Sequence, residues 1–403
     1  MKNRRRLDFV LATALLSMTI LTVDILFVSA IEWSPETRLT THEDRDWSTS
    51  IMQAGDGTIW VVWSSNRFGA LNDKLLYKTS SNYGSTWSSD KALTAASGYD
   101  SEPSIMQARN GTIWVVWSSY RTPPGNYELF YKTSSNNGAS WSRDTQLTTD
   151  TSRDVSPSIM QSTNGTIWVV WSSSRTGNSE LFYKTYTGSA WSTEWQLTYD
   201  SSYDENPSIM QARNGTIWVV WSSFRTSKNY ELFYKTFNGT AWSSDTRFTN
   251  HKDFDEVPSI AQARDGTIWV VWQSDRASSG IHDLYYKVYD GSAWPPADTQ
   301  LTSDPASDIT SSIAQISDGK IWIVWASDRD GDFEIYYKTA QVIILGDING
   351  NGTVNASDLS AFSEAYGSKP GDPNWNLYGD FNGDKKVDAY DLFVLGKNYG
   401  KSL

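Results

Sequence analysis

The stretch Ser50-Ile51-Met52-Gln53-Ala54-Gly55-Asp56-Gly57-Thr58-Ile59-Trp60-Val61-Val62-Trp63-Ser64-Ser65 sets the organisation of this chain, because the chain repeats it. Aligned on the run Ser-Ile-(Met/Ala)-Gln, six copies begin at Ile51, Ile105, Ile159, Ile209, Ile260 and Ile313, spaced 54, 54, 50, 51 and 53 residues apart. Each copy reads as four short strands. The first is the Ile-Met-Gln-Ala run, closed by Asp-Gly or Asn-Gly, the pair that favours a type I′ hairpin turn. The second, Thr-Ile-Trp-Val-Val-Trp, is apolar on both faces, as a strand sandwiched between neighbouring sheets must be. The third is typified by Glu128 to Lys132, and the fourth starts at a Trp and ends in Leu-Thr, as in Trp141 to Thr148.

Four antiparallel strands per period, repeated around a ring, make a β-propeller. The ends of the array settle the closure. The sixth copy stops after Ile335-Tyr336-Tyr337-Lys338 without an outer strand, and the missing strand stands at the other end as Trp33-Ser34-Pro35-Glu36-Thr37-Arg38-Leu39-Thr40. Pairing that segment onto the last blade leaves no exposed sheet edge. The expected fold is mainly β: a six-bladed β-propeller over residues 31–342, closed by an N-terminal outer strand, with a small α-helical domain over 343–403. The repeat also absorbs the aromatics. Twelve of the 21 Trp are second-strand pairs such as Trp60/Trp63, and six more begin outer strands, leaving Trp47, Trp195 and Trp375.

Composition removes several functions. The 403 residues carry 34 basic and 46 acidic side chains, a net charge of −12, which matches neither nucleic acid nor an anionic membrane surface. With no Cys, disulfide scaffolds, thiolate zinc sites and cysteine nucleophiles are excluded; three His (His42, His251, His282) make a poly-His metal centre untenable. Lys2, Arg4, Arg5 and Arg6, an apolar run from Phe9 and the small-residue pattern Val28-Ser29-Ala30 predict a signal peptide over residues 1–30 and hence a secreted or cell-surface protein. No later apolar stretch is long enough to span a bilayer.

The block Ser317-Asp318-Gly319-Lys320-Ile321-Trp322 through Ser327-Asp328-Arg329-Asp330-Gly331 to Glu334-Ile335-Tyr336 resembles the repeat of TolB-like propellers. The turns Ser80 to Trp87 and Ser134 to Trp141 are similar to the Asp-box of sialidase-like propellers, with Asn where the box prefers Asp; later copies shorten it, as in Tyr186 to Trp191. Both resemblances imply the fold over residues 31–340 and neither implies a function. Sialidase chemistry would require three arginines from different blades around a carboxylate, a Tyr/Glu pair and a separate Asp. That set cannot be placed: all six repeat arginines share one position, and Tyr120-Arg121-Thr122-Pro123 matches the family's N-terminal Arg motif only faintly, in the wrong blade.

Asp46, Asp100, Asp154, Asp204, Asp255 and Asp308 lie five residues before each anchoring Ile, and Arg67, Arg121, Arg175, Arg225, Arg276 and Arg329 sixteen after it. Identical spacing in six copies favours one loop-bracing ion pair per blade over a catalytic device, which needs different groups in different roles. Gln53 and its five equivalents either satisfy backbone groups or line the channel. Subtracting the repeat leaves His42, Glu43, Trp47, Glu102, Tyr120, Tyr127, Arg153, Glu205, Phe224 and Glu256 on the presumed ligand face. Among these, Glu102, Glu205 and Glu256 are the carboxylates from which a glycosidase pair could be drawn, and the aromatics suit stacking on sugar rings. Asn110, Asn164, Asn214 and Asn238 match the glycosylation acceptor pattern, but Asn-Gly is also a favoured turn.

The last sixty residues carry the most specific chemistry. Asp347, Asn349, Asn351, Asn355 and Asp358 place oxygens at loop positions 1, 3, 5, 9 and 12, and Asp380, Asn382, Asp384, Asp388 and Asp391 repeat that spacing 33 residues later; Thr353 and Lys386 offer backbone carbonyls at position 7. Each loop leads into an apolar helix ended by Gly367 or Gly400. Two such units closely resemble a type I dockerin over residues 345–403. The resemblance implies two Ca²⁺ sites and a cohesin-bearing partner that reads loop positions 10 and 11, here Ala356-Ser357 and Ala389-Tyr390. The pairs differ, which argues against a symmetric two-way mode. Loop two has Lys385 where position 6 expects Gly, and a left-handed non-Gly residue there costs about 1–2 kcal/mol; the two affinities should therefore be unequal. The sequence reads best as a non-catalytic propeller, binding a glycan or a surface protein, docked through calcium onto a cohesin assembly linked to polysaccharide breakdown. A propeller glycoside hydrolase or lyase, and a structural adhesion or envelope protein, are the alternatives.

Overall fold

The computed structural model describes residues 31–69, 72–122, 125–226, 229–278, 280–342, 346–349, 353–376, 379–381 and 384–400. The signal segment, Pro123, the loop residues Asn351 and Asn382 and the turn glycines Gly350, Gly352 and Gly383 lie outside them.

Six antiparallel sheets form the propeller. Blade one runs Asp46–Gln53, Ile59–Ser65, Lys74–Ser80 and Lys91–Ala92 from the axis outward. The innermost strands of blades two to six are Tyr99–Gln107, Asp154–Gln161, Asp204–Gln211, Asp255–Gln262 and Asp308–Gln315. In blade six the outer strand comes from the chain start: Ile31–Trp33 and Thr37–Arg38 both pair with Glu334–Val342. The N-terminal segment therefore closes the ring, as its sequence anticipates.

Three details differ from the sequence expectation. In blades one to five the outer strands are two-residue ladders such as Thr145–Gln146, starting after the Trp rather than at it; only blade six has its outer Trp, Trp33, inside a strand. The Asp-Gly and Asn-Gly turns are not type I′. Gly57 N–H donates to Ala54 O, Ala54 and Thr58 pair across a three-residue loop, and only Gly57 takes positive φ. The Asp56 carboxylate accepts Thr58 N–H at 2.9 Å, an Asx turn that holds the residue before Gly at negative φ. Asn110, Asn164 and Asn214 do the same, so the sequons serve first as turns. The innermost strands also begin earlier than read, at the repeat Asp in five blades and at Tyr99, one residue before it, in blade two, and each carries a bulge.

The apolar layers lie between blades. The second Trp of each second strand, Trp63, Trp117, Trp171, Trp221, Trp272 and Trp325, is fully buried. The first stacks on its own blade's Tyr, as Trp60 does on Tyr77 at 5.1 Å, and receives the next blade's outer Trp edge-on: Trp141 on Trp60, 6.1 Å and 83°. The last contact of this belt, Trp33 on Trp269 at 6.2 Å and 81°, is made by the closing segment. Gly84 and Gly138 of the two Asp-box turns lie so close to Trp322 and Trp60 that a Cβ would sit 2.3 and 2.2 Å from the ring.

The helical part has two helices, α1 (Ala356–Ala365) and α2 (Ala389–Asn398), each opened by a capping box, Asn355/Asp358 and Asp388/Asp391. Ile348, Val354, Phe362, Ala365, Val387 and Leu395 form its own core.

Expressing the chain from Thr41 instead of Ile31 removes Trp33, the buried Leu39 and a sheet edge. We expect a loss of at least about 3 kcal/mol and a melting temperature lower by several degrees, read by calorimetry. An unchanged melting curve would show that the ring does not depend on this closure.

Candidate functional site

Antiparallel order places the starts of the innermost strands and the loops between second and third strands on one face. The repeat charges on that face are spent inside the blades. Asp46 is fully buried and takes Arg67 at 2.8 Å; Arg67 also holds Asp90 at 2.7 Å, and Asp90 holds Lys78 at 2.9 Å. The same four-membered chain recurs as Asp100–Arg121–Asp144–Lys132 and in every other blade, and in blade six the N-terminal Glu36 supplies the outer carboxylate. Burial pushes the Asp46 carboxyl up despite Ser65 and Arg67. The outer carboxylate and Lys were missed in the sequence, although Trp-Ser-x-Asp repeats visibly. No repeat Arg remains to clamp a ligand.

The six Gln also have a structural role. Gln53 Nε2 donates to Gly57 O at 2.8 Å, and its Oε1 accepts Ser317 N–H of blade six at 2.6 Å; Gln107 Oε1 accepts Gly55 N–H, and so on around the ring. A second ring is made by Ser50 and its equivalents, each accepting the anchoring Ile N–H of the next blade, as from Ile105 at 3.1 Å.

Inside these rings lies a central cavity of about 310 Å³. At its wall Ser48, Glu102, Ser156, Asn206, Val257 and Thr310 all adopt φ of 51–55°, one per blade, at the bulge. Left-handed backbone is unfavourable for these residues, most of all for β-branched Val257 and Thr310, and Glu102, Ser156, Asn206 and Val257 each precede a Pro. The strain is held by bonds from neighbouring blades: Glu102 N–H donates to Ser64 Oγ at 3.2 Å, and Val257 N–H to Ser222 Oγ at 2.9 Å.

Glu102 is the one charged residue lining this cavity. Its Oε2 accepts Ser118 Oγ–H at 2.7 Å and Ser156 N–H at 2.8 Å, so it braces blade three. Glu205 and Glu256 stand on neighbouring blades. Glu205 Oε2 accepts the Tyr230 hydroxyl at 3.0 Å, giving a Tyr–Glu pair that the sequence did not reveal. Burial, with Asp275 and Glu205 adding repulsion against Gln273's bond, pushes Glu256 up to about 7. Burial and Glu205 hold Tyr230 above the ordinary phenol range.

Tyr127 packs between Tyr120 (5.1 Å) and Tyr99 (6.1 Å), with the exposed Arg153 guanidinium over its ring at 5.3 Å. Burial and Asp73 raise Tyr99, and burial raises Asp73 to about 6. His42 and Glu43 are exposed, with His42 Nδ1 accepting Asp44 N–H. Trp47 is half-buried on the core beneath Arg45, and Phe224 lies against Tyr230 at 5.1 Å.

In the helical part, Asp358 and Asp391 are fully buried at loop position 12. Asp358 accepts Asn349 and Asn355 N–H, and Asp391 accepts Phe381 and Asp388 N–H, so each carboxylate ties its loop shut. Among the described residues no Lys or Arg pairs with buried Asp358, and a buried carboxylate without a cation is costly. Among them also, no three acidic or imidazole side chains converge; the donors both loops offer, Asp347 and Asp358 in one and Asp380, Asp384, Asp388 and Asp391 in the other, with amide and carbonyl oxygens beside them, are all oxygens, which suit Ca²⁺. Lys385 has φ 68°, the strained geometry its position predicts. Ser357 Oγ donates to Asn355 Oδ1, whereas Tyr390 is 37% exposed.

Comparison with known proteins follows these two parts. The BNR repeat-like domain family matches residues 21–270, and the dockerin type I domain family matches 345–399. None of the curated proteins compared matches the chain. A crystal structure of a protein of unknown function from Dyadobacter fermentans is similar with TM-score 0.66 and 11% identity, covering 78% of this chain and 100% of that one. The Hadza microbial sialidase Hz136 gives TM-score 0.58 and 12% identity over 74% and 66%. The GH93 α-L-arabinofuranosidase of Fusarium graminearum with arabinobiose gives 0.59 and 13% over 74% and 93%. At such identity the likeness carries the fold alone. No helix among the described residues is long and apolar enough to cross a membrane.

Glu256 supplies a pH test. Its raised pKa means the folded state holds the proton more tightly than the unfolded chain, so its stabilisation is full below the ordinary Glu value and lost as pH rises through about 7. The melting temperature of Glu256→Gln should fall less than the parent's between pH 5 and 8. Parallel profiles would mean that the carboxyl is not held protonated.

Proposed function

We propose, for a chain that belongs to the BNR repeat-like domain family and ends in a type I dockerin domain, that the protein is an exported glycan-binding propeller fastened by its dockerin to a cohesin-bearing assembly. The residue 1–30 segment serves as the export signal, residues 31–342 bind, and residues 343–403 dock. The observation that carries the binding role is the contrast on one face. Repeat charges are consumed in blade-internal networks, while Tyr120, Tyr127 and Arg153 depart from the repeat and stay at least partly open to solvent.

Type I dockerin domains bind calcium. Two sites fit this one, at Asp347–Asp358 and Asp380–Asp391, with Ala356-Ser357 and Ala389-Tyr390 as unlike cohesin contacts. Tyr390, large and partly exposed, makes loop two the dominant contact. The second site should bind more weakly than its charge predicts because of Lys385. Lys385→Gly removes about 1–2 kcal/mol of strain, so calorimetry should show one of two Ca²⁺ affinities rising about tenfold. A single unaltered affinity would contradict both the two-site reading and the assignment of strain.

A glycoside hydrolase is the second reading, favoured by Glu205 and Glu256. One carboxylate accepts a Tyr hydroxyl while its neighbour keeps a proton near neutral pH, the separation of roles that an acid and its partner require. A glycan array run beside a hydrolysis panel separates the readings. Binding without turnover is the expected result. Turnover that disappears in Glu205→Gln or Glu256→Gln, with binding retained, would transfer the assignment to the hydrolase.

A further inference from the structure

Three repeat positions meet on the ligand face: the residue before the buried Asp, the residue before the repeat Arg, and the residue before the third-strand acid at Glu128, Glu180 and Glu231. In blade two they are Tyr99, Tyr120 and Tyr127; in blade four, Tyr203, Phe224 and Tyr230. In no other blade are all three aromatic. Blade three, between them, has Arg153, Ser174 and Ser179.

The second position has a structural task elsewhere. Asn66, Ser174, Asp275 and Asp328 each accept the backbone N–H of the first position, at 2.9, 3.2, 2.8 and 2.8 Å. Tyr120 and Phe224 have no such acceptor within reach of that short bond, so blades two and four forgo a loop clamp in exchange for a ring. Tyr120 is 46% exposed and its ring packs on Tyr127; Tyr203 is 50% exposed and its carbonyl accepts the N–H of Phe224, whose ring packs on Tyr230. Rings held rigid by packing and open on one side make low-entropy contact surfaces. Arg153 of blade three reaches over Tyr127 and forms no ion pair among the described residues, leaving its donors available.

We propose that the two aromatic triads are twin platforms of one binding site that takes an extended neutral oligosaccharide lying across blade three. This rests on the glycan-binding reading and specifies its site and ligand. Sugar rings offer C–H faces to aromatic platforms and hydroxyls to the polar groups between them; here Arg153 and Ser174 supply donors and Glu205 an acceptor. The ligand is neutral because the one guanidinium here, Arg153, is set against the carboxylates Glu102 and Glu205 of the adjoining blades, so no net positive charge draws an anionic chain. The small side chains of blade three leave the path between the platforms unobstructed.

The test uses the full calcium-loaded chain, with Tyr120→Ala, Tyr203→Ala and the double variant. Isothermal titration is run against arabinan, xylan, β-glucan and galactomannan, their hexasaccharides and disaccharides, and polygalacturonate. Expected are binding of a neutral polymer, affinity that rises from disaccharide to hexasaccharide, and a roughly tenfold loss in each single variant for the long ligand only. Melting temperatures equal to the parent's confirm the fold; should either alanine variant fail that control, Tyr120→Ser and Tyr203→Ser give the same comparison. Parent-like binding of the neutral polymer by the double variant overturns the platforms while glycan binding stands. Preference for polygalacturonate overturns the neutral ligand. Absence of binding to every polymer overturns the glycan reading itself, and this inference with it.

Discussion

The edge-to-face contact between tryptophans of adjacent blades is the constraint on which the propeller depends. Each outer-strand Trp approaches the preceding blade's Trp at 6.1–6.3 Å, with interplanar angles from 70° to 84°. Such a contact favours one distance and one angle, so it fixes the rotation from each sheet to the next. Six equal rotations must also close, and Trp33 provides the sixth. Its segment brings the rest of the missing blade's chemistry: Glu36 completes the Arg329–Lys338 network, and Thr40 donates to the buried Glu334 as Thr148 does to Glu128. Closure is thus aromatic, ionic and hydrogen-bonded in one ten-residue stretch.

With the outer belt set, the inner wall follows. Adjacent innermost strands cannot pair by a full ladder, since each belongs to its own sheet. Their spare backbone donors are met instead by a Ser of the preceding blade and a Gln of the next, as in the bonds of Ile105 to Ser50 and Gly55 to Gln107. The left-handed bulge aims one N–H per blade at a partner such as Ser64 or Ser118. Where blade six has Ala326 in place of that Ser, Thr310 Oγ1 takes over the bond to Ser48 N–H. A wall so fully occupied by its own backbone leaves little chemistry free at the axis, and Glu102, its one carboxylate, is drawn into the same bracing.

The sequence carried the period, the closing segment, both calcium loops and even the strained Lys385, because each depends on residues near one another in the chain or on identity at a fixed spacing. It was silent where the outcome depends on two blades at once. Gln53 looked equally suited to lining a channel or bonding backbone, and only the position of Ser317, 264 residues away, decides it. The Asn-Gly turns were misread because the pair favours type I′ locally, whereas the Asx bond to Thr fixes a three-residue loop. Glu205 and Tyr230 are 25 residues apart in one blade, and nothing in their spacing marks them as partners. Tyr99 and Tyr203 carry no mark of their own in the sequence, since each gains meaning only beside the two other aromatic positions of its blade.

Symmetry itself separates structure from function here. A position that holds the same residue in six blades answers to the ring, as the buried Asp and Arg do. A position that varies from blade to blade, such as the one occupied by Trp47, Ser101, Val155, Glu205, Glu256 and Ile309, is set blade by blade, by packing at Trp47 and by charge at Glu205 and Glu256. The informative class is a position that departs from the ring in the same way at separated blades, against a local structural interest. Blades two and four meet that condition at three positions together, and two of those changes remove a clamp that four other blades keep. Loop drift would scatter such changes singly around the ring. Their coincidence on the two blades flanking Ser174 and Ser179 is what a ligand spanning three blades requires.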